Sequence, residues 1–205
     1  MSILTCPLEI NFSNKQLRFR QQTATTRNEA VAKAVGLKKD KVCKLIDATA
    51  GLGVDAFILA SLGAKVTLLE RSPTIAKLLG IGLESIDNPL IRARMHLIEI
   101  EACDYLSTLT PEAYPDVIYC DPMFPKREKS ALVKKEMQYL QTLLAQEAIS
   151  LYNEEQLLAL ALKIAKTRVV VKRPRLAACL PGPKPSFSQS YKSNRFDIYL
   201  TLCIK

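Results

Sequence analysis

The sequence predicts an α/β fold: a mostly parallel, doubly wound sheet with an antiparallel end. Three observations carry this reading. Short apolar runs alternate with helical patterns between residues 42 and 172, the order that builds a parallel sheet. The stretch 45–57, Leu-Ile-Asp-Ala-Thr-Ala-Gly-Leu-Gly-Val-Asp-Ala-Phe, joins a buried strand to a helix through a glycine-rich turn. Two closing strands, near 187–191 and 196–204, are linked by the short turn Lys192-Ser193-Asn194, which suffices only for antiparallel neighbours.

Taken in order, Leu8 to Arg20 opens with an apolar–polar alternation that predicts a small hairpin or arm. Residues 21–27 are polar and read as a loop. Asn28 is placed to cap a short helix over 29–35 that Gly36 ends. The first core strand is expected over 42–47 and its helix over 55–62. A second strand at 65–70 leads to a helix at 73–86, with Pro73 suited to a first turn. Strands follow at 95–100 and 116–121, helices at 136–146 and 154–166, and a fifth strand at 168–172.

The 205 residues are 48% hydrophobic, enough for one sizeable core. No apolar run approaches the ~20 residues of a membrane span. The segment Met1-Ser2-Ile3-Leu4-Thr5-Cys6-Pro7 lacks the basic and apolar regions of a signal peptide. A cytoplasmic chain is expected. Cys6, Cys43, Cys103, Cys120, Cys179 and Cys203 form no Cys-x-x-Cys pair and read as reduced thiols. His96 is the only histidine, which argues against zinc or a histidine-activated nucleophile, so no metal is expected. Lys and Arg outnumber Asp and Glu, 29 to 20, and the charge of +9 favours a polyanionic partner.

Gly51-x-Gly53-x-x-Ala56, with Glu70 ending the next strand, fits a nucleotide-cofactor turn. The glycines allow a tight turn and close ligand approach, and Glu70 could accept from ribose hydroxyls. Asp47 and Asp55 flank this loop; they would repel a pyrophosphate but favour the ammonium and sulfonium of S-adenosylmethionine over NAD. Asp104, after the third strand, suits either an adenine amino group or a helix cap. Asp121-Pro122-Met123-Phe124-Pro125 ends a central strand. Asp121 and the Pro122 carbonyl could hold an exocyclic amine, and Phe124 could stack on its base. Lys126, Arg127, Lys129, Lys134 and Lys135, with Lys172, Arg173 and Arg175, would form a phosphate-binding footprint near the same crevice. A dehydrogenase would share the glycine turn, but nothing supplies its acid–base chemistry.

At these residues the sequence resembles the RsmJ family, bacterial methyltransferases that modify a guanine N2 in small-subunit (16S) ribosomal RNA. The matching stretches are 27–36, 47–60, Leu69-Glu70-Arg71, 121–137, 168–174 and 195–199. The resemblance implies a class I (Rossmann-like) methyltransferase domain over 28–205, preceded by an N-terminal arm or hairpin over 1–27. It implies S-adenosylmethionine as donor and 16S ribosomal RNA or the small ribosomal subunit as partner. The family's cofactor positions fall on Val54 and Asp55, Glu70 and Arg71, Glu101 and Ala102, and Asp121. Relatives commonly carry a basic residue where this chain has Val54. On chemistry alone, a methyltransferase acting on DNA or a small molecule, or a non-catalytic RNA-binding protein on the same scaffold, would share these features.

Overall fold

Among the described residues seven strands form one sheet. The computed structural model describes residues 9–122 and 154–201. Its elements are α1 (Lys15–Thr23), α2 (Ala30–Val35), β1 (Lys44–Asp47), α3 (Val54–Ser61), β2 (Lys65–Glu70), α4 (Pro73–Glu84) and α5 (Pro89–Arg92). Then follow β3 (Met95–Glu99), α6 (Ala102–Thr108), a 3-10 turn (Pro111–Ala113), β4 (Val117–Cys120) and α7 (Glu154–Ile164). β5 (Arg168–Pro174), β6 (Phe187–Ser190) and β7 (Asn194–Leu200) close the sheet. Strands β3, β2, β1, β4 and β5 pair in parallel, whereas β7 is antiparallel to both β5 and β6. The expected parallel sheet with an antiparallel end is what forms.

Strands β1, β2, β4 and β5 are apolar on both faces because helices cover both. Leu45, Leu68, Tyr119 and Val170 pack with Phe57, Leu59 and Val31 in one core. Ile46, Leu69, Ile118 and Val171 pack with Leu106, Leu157 and Leu158 in the other. Because the side-chain period is two, Asp47, Glu70, Asp121 and Lys172 continue the first face at the carboxyl ends of four strands. The chain runs outward from β1 to β3 and then returns to β4, so β1 and β4 flank the topological switch point, where such sheets bind ligands.

The N-terminal segment departs from expectation. No hairpin forms among the described residues of 8–20; α1 starts instead at Lys15. Asn14 caps it by accepting from the Leu17 N–H at 2.9 Å, and the helix overrides the alternation of Leu17-Arg18-Phe19-Arg20, burying Leu17 and exposing Phe19. Phe12 and Leu17 enter the core, and Phe12 stacks on Phe57 with ring centroids 5.0 Å apart. Asn28 does not cap α2. Its side chain accepts from Thr25 N–H at 2.7 Å and donates to the Thr23 carbonyl at 2.8 Å, closing the turn between the helices. Glu29 takes the cap position without a side-chain hydrogen bond, and Gly36 ends the helix in the left-handed region as expected. The last strand stops at Leu200 within the described chain, and the expected helix at 136–146 lies outside the described residues. Cys43, Cys103, Cys120 and Cys179 are free thiols. Among the described residues no helix is long and apolar enough to cross a membrane.

The segment leading into α1 crosses α4 at Gly82, where a Cβ would lie 2.8 Å from both the Ile10 carbonyl oxygen and Ile10 Cγ2. Gly-to-Ala inside a helix ordinarily gains about 1 kcal/mol. Here overpacking against backbone, roughly 1–3 kcal/mol, outweighs it. Gly82→Ala should lower the melting temperature measured by circular dichroism.

Candidate active site

The site is built on the turn that leaves β1. Ala48 N–H donates to the Tyr119 carbonyl at 2.9 Å and Ala50 N–H to the Leu69 carbonyl at 3.0 Å, so the turn is strapped to both neighbouring strands. Gly51, at φ 51°, donates its N–H to Glu70 Oε2 at 2.8 Å. Gly53, at φ 68°, stands at the N-cap of α3, where a Cβ would lie 2.7 Å from Leu79 Cδ1. Both positions need the freedom of glycine. The other Glu70 oxygen accepts from Ser72 N–H at 2.9 Å. Burial raises the pKa of Glu70 while the Ser72 and Gly51 N–H groups oppose the shift. Its carboxylate therefore shapes the cradle, leaving only its remaining lone pairs for a ribose.

Three acids meet beside this turn. Asp55, in the first turn of α3, accepts at Oδ2 from the Tyr119 hydroxyl and from Lys172 Nζ, both at 2.8 Å, and at Oδ1 from Arg20 at 3.2 Å. Burial pushes its pKa up, but Lys172, Arg20 and Tyr119 outweigh burial and hold it below the usual range. Asp121 Oδ2 accepts from the same Lys172 Nζ at 2.8 Å, and its backbone N–H donates to Thr49 Oγ1 at 2.6 Å. Burial raises the Asp121 pKa; Lys172 opposes and Asp55 adds to the rise. Burial lowers the Lys172 pKa, but Asp55 and Asp121 overcome this and raise it, so Lys172 stays charged. Asp47, 3% exposed, accepts the Thr49 N–H at 3.1 Å, and among the described residues forms no ion pair. Burial pushes it up to about 8, with Thr49 and Lys172 opposing and Asp55 and Asp121 adding. A buried carboxyl without an ion pair among the described residues, beside the glycine turn, suits a cationic ligand.

The remaining expected residues divide. Val54 opens α3 and is 39% exposed at the rim of the turn. Arg71 follows Glu70 and is half-buried. Glu101 caps α6 by accepting from Cys103 N–H at 2.5 Å and Asp104 N–H at 3.2 Å. Ala102 is buried behind it, and Asp104 is exposed in the first turn. Of the two alternatives for Asp104, the helix cap is thus taken by Glu101. The Glu70–Glu99 register brings this segment to the edge where Glu70 lies. Pro122 is buried. Phe124, Lys126, Arg127, Lys129, Lys134 and Lys135 lie outside the described residues.

Two members of the expected phosphate footprint sit elsewhere. Lys172 is engaged between Asp55 and Asp121, because the parallel pairing of Cys120 with Val171 sets it level with Asp121. Arg173, 6% exposed, alternates to the other face, where it lies 3.6 Å from Glu154 and donates to the Ala178 carbonyl at 3.0 Å. Arg175 is exposed. Thr49, Tyr119 and Arg20 were not anticipated. Tyr119 was legible as the residue two before Asp121, hence on its face; Arg20 was hidden in the presumed hairpin. Surface cavities of about 190 Å³, under α1, and 310 Å³, at the amino ends of β1 and β2, lie away from this edge.

The chain matches the family described as "Putative SAM-dependent methyltransferase" over residues 3–201. It is 48% identical to the ribosomal RNA small subunit methyltransferase J of Thioalkalivibrio sulfidiphilus, over 95% of this chain and 76% of that protein. It is 45% identical to the protein of the same name from Nitrosococcus oceani, over 97% and 78% of the two chains. Among solved structures it resembles a SAM-dependent methyltransferase from Neisseria gonorrhoeae, with a TM-score of 0.71 and 36% identity over 94% of this chain and 74% of that one. The glycine turn and its acidic surroundings fit S-adenosylmethionine, the donor used by this family. The chain belongs to the S-adenosylmethionine-dependent methyltransferase family that includes the ribosomal RNA small subunit methyltransferase J proteins.

Proposed function

We propose that this methyltransferase modifies the exocyclic amine, N2, of a guanine in small-subunit (16S) ribosomal RNA, acting in the cytoplasm where that RNA resides. The observation that carries the reading is Asp121-Pro122 at the carboxyl end of β4, beside the glycine turn and at the switch point of the sheet. The printed names of the curated relatives supply the class of RNA, and the charge of +9 fits a polyanionic partner.

When bound, S-adenosylmethionine supplies a methyl group already activated by a positively charged sulfur. Asp47 would meet its ammonium, the Gly51–Gly53 backbone would allow close approach, and the free lone pairs of Glu70 would face the ribose. A guanine amine is a poor nucleophile, because its lone pair is delocalised into the ring. The free oxygen of Asp121 and the Pro122 carbonyl would accept the two amine hydrogens and turn the nitrogen lone pair towards the donor. Asp121 would take the proton that nitrogen sheds after methylation. Positioning then supplies much of the acceleration. Phe124 would stack on the base, and Lys126, Arg127, Lys129, Lys134, Lys135 and Arg175 would hold flanking phosphates.

The direct test is transfer of labelled methyl from S-adenosylmethionine to small-subunit particles lacking their native modifications, followed by nucleoside analysis. Label should appear in N2-methylguanosine and disappear in Asp121→Ala with the fold retained; label in DNA or in another nucleoside would sink the reading. Lys134→Glu with Lys135→Glu should weaken particle binding and leave binding of free cofactor unchanged in calorimetry.

Asp47 yields a pH prediction. Its carboxyl moves from an ordinary 3.8 to about 8 on folding, so the folded chain binds the extra proton. Stability contributed here therefore falls as pH rises between those values. Asp47→Asn should melt higher than the parent at pH 8 and flatten that dependence. The same substitution should weaken cofactor binding on the order of tenfold, consistent with loss of a charge-assisted contact, and remove the rise in affinity as pH passes 8.

A further inference from the structure

A line of alternating charges runs from the N-terminal helix into the site. Glu29 Oε2 accepts from Arg20 at 2.9 Å, Arg20 donates to Asp55 at 3.2 Å, and Lys172 then bridges Asp55 and Asp121 at 2.8 Å each. Its ends differ: the Glu29 side chain is 15% exposed and that of Asp121 39%, so the line opens at Asp121. The Lys172 ammonium has three donors; two are spent on these acids. Among the described residues only Asp121 Oδ2 is taken, and the backbone N–H of Asp121 is separately fixed by Thr49.

We propose that Lys172 is a positioning residue for methyl transfer: anchored by Asp55, it fixes one oxygen of Asp121, sets a positive charge against that carboxylate, and leaves the other oxygen to the substrate amine. This rests on the role given to Asp121 above. The charges around Asp121 make the device necessary. Asp55 from α3 is a like charge, Asp47 from β1 (pushed up to about 8) and Tyr119 from β4 are neutral at pH 7, and Arg20 from α1 is spent on Asp55 and Glu29. Lys172 from β5 is the cation in contact with Asp121 among the described residues. Burial and Asp55 both favour a protonated Asp121, and Lys172 opposes them. A protonated Asp121 would lose acceptor capacity towards the amine.

The test compares Lys172→Met with the parent enzyme in methyl transfer to undermethylated small-subunit particles across pH. We expect kcat at pH 7 to fall on the order of 10- to 100-fold, the range attached to a mispositioned acid–base group. The acid limb of kcat should move up by about a pH unit or more, because the variant's Asp121 holds its proton to higher pH. Cofactor affinity should be no weaker than in the parent. Lys172→Arg should restore part of kcat and return the acid limb. Should Lys172→Met not fold, Lys172→Gln, which keeps donors without charge, must show the same shift. A rise in KM for particles with kcat and acid limb unchanged would make Lys172 a phosphate contact and overturn the proposal. A drop in kcat with an unmoved acid limb would make it mere support, with the same consequence. Asp121→Asn separates the layers: if it turns over normally, the Asp121 reading itself fails; if it is inactive while Lys172→Met behaves as the parent, only the present inference does.

Discussion

Like charges gathered in a poorly solvated edge constrain this structure more than any other feature. Asp47, Asp55 and Asp121 converge where β1, α3 and β4 meet, and burial disfavours ionisation of each. Separate carboxylates in such a place either acquire a cation or take up protons. Lys172 and Arg20 hold Asp55 below its ordinary pKa, Lys172 restrains Asp121, and Asp47, without an ion pair among the described residues, is pushed up to about 8. Three acids of similar chemistry thereby acquire three roles. Asp55 is held between two cations, Asp121 is the more exposed with one oxygen on Lys172, and Asp47 has no ion pair among the described residues.

The rest of the site serves that arrangement. The turn after β1 must pass beneath the acids without adding side-chain bulk, which explains why its two left-handed residues are glycines clamped by Glu70 and Leu79. The N-terminal segment is integral to the same construction. Phe12 stacks on Phe57, Leu17 enters the core, and Arg20 reaches past the helix start to Asp55. A segment that sequence periodicity assigned to a peripheral hairpin thus closes the back of the charge line.

Proteins at 17–18% identity with TM-scores of 0.52 and 0.54 share this fold, which by itself identifies no substrate. What narrows the chemistry here is local: a carboxylate and a proline carbonyl at the switch point, supported by a lysine that the sheet register delivers.

The sequence by itself determined the sheet, the cradle and the place of Asp121. The strand and helix periods, the positive-φ glycines and the short final turn are local signals, and a parallel strand buried on both faces writes them plainly. It also placed Asp47, Glu70 and Asp121 at strand ends, since alternation fixes faces. Tertiary structure alone decided which charges neutralise one another. Lys172 and Arg173 are adjacent in a basic run, yet alternation sends one to Asp55 and Asp121 and the other to Glu154. Pairing across β4 and β5 is non-local, as is the approach of Arg20 from α1, and neither leaves a periodic trace in the chain. Asn28 failed as a cap, and Glu101 rather than Asp104 capped α6, for a related reason: the neighbouring backbone groups available to each side chain are set by the folded turn rather than by residue type.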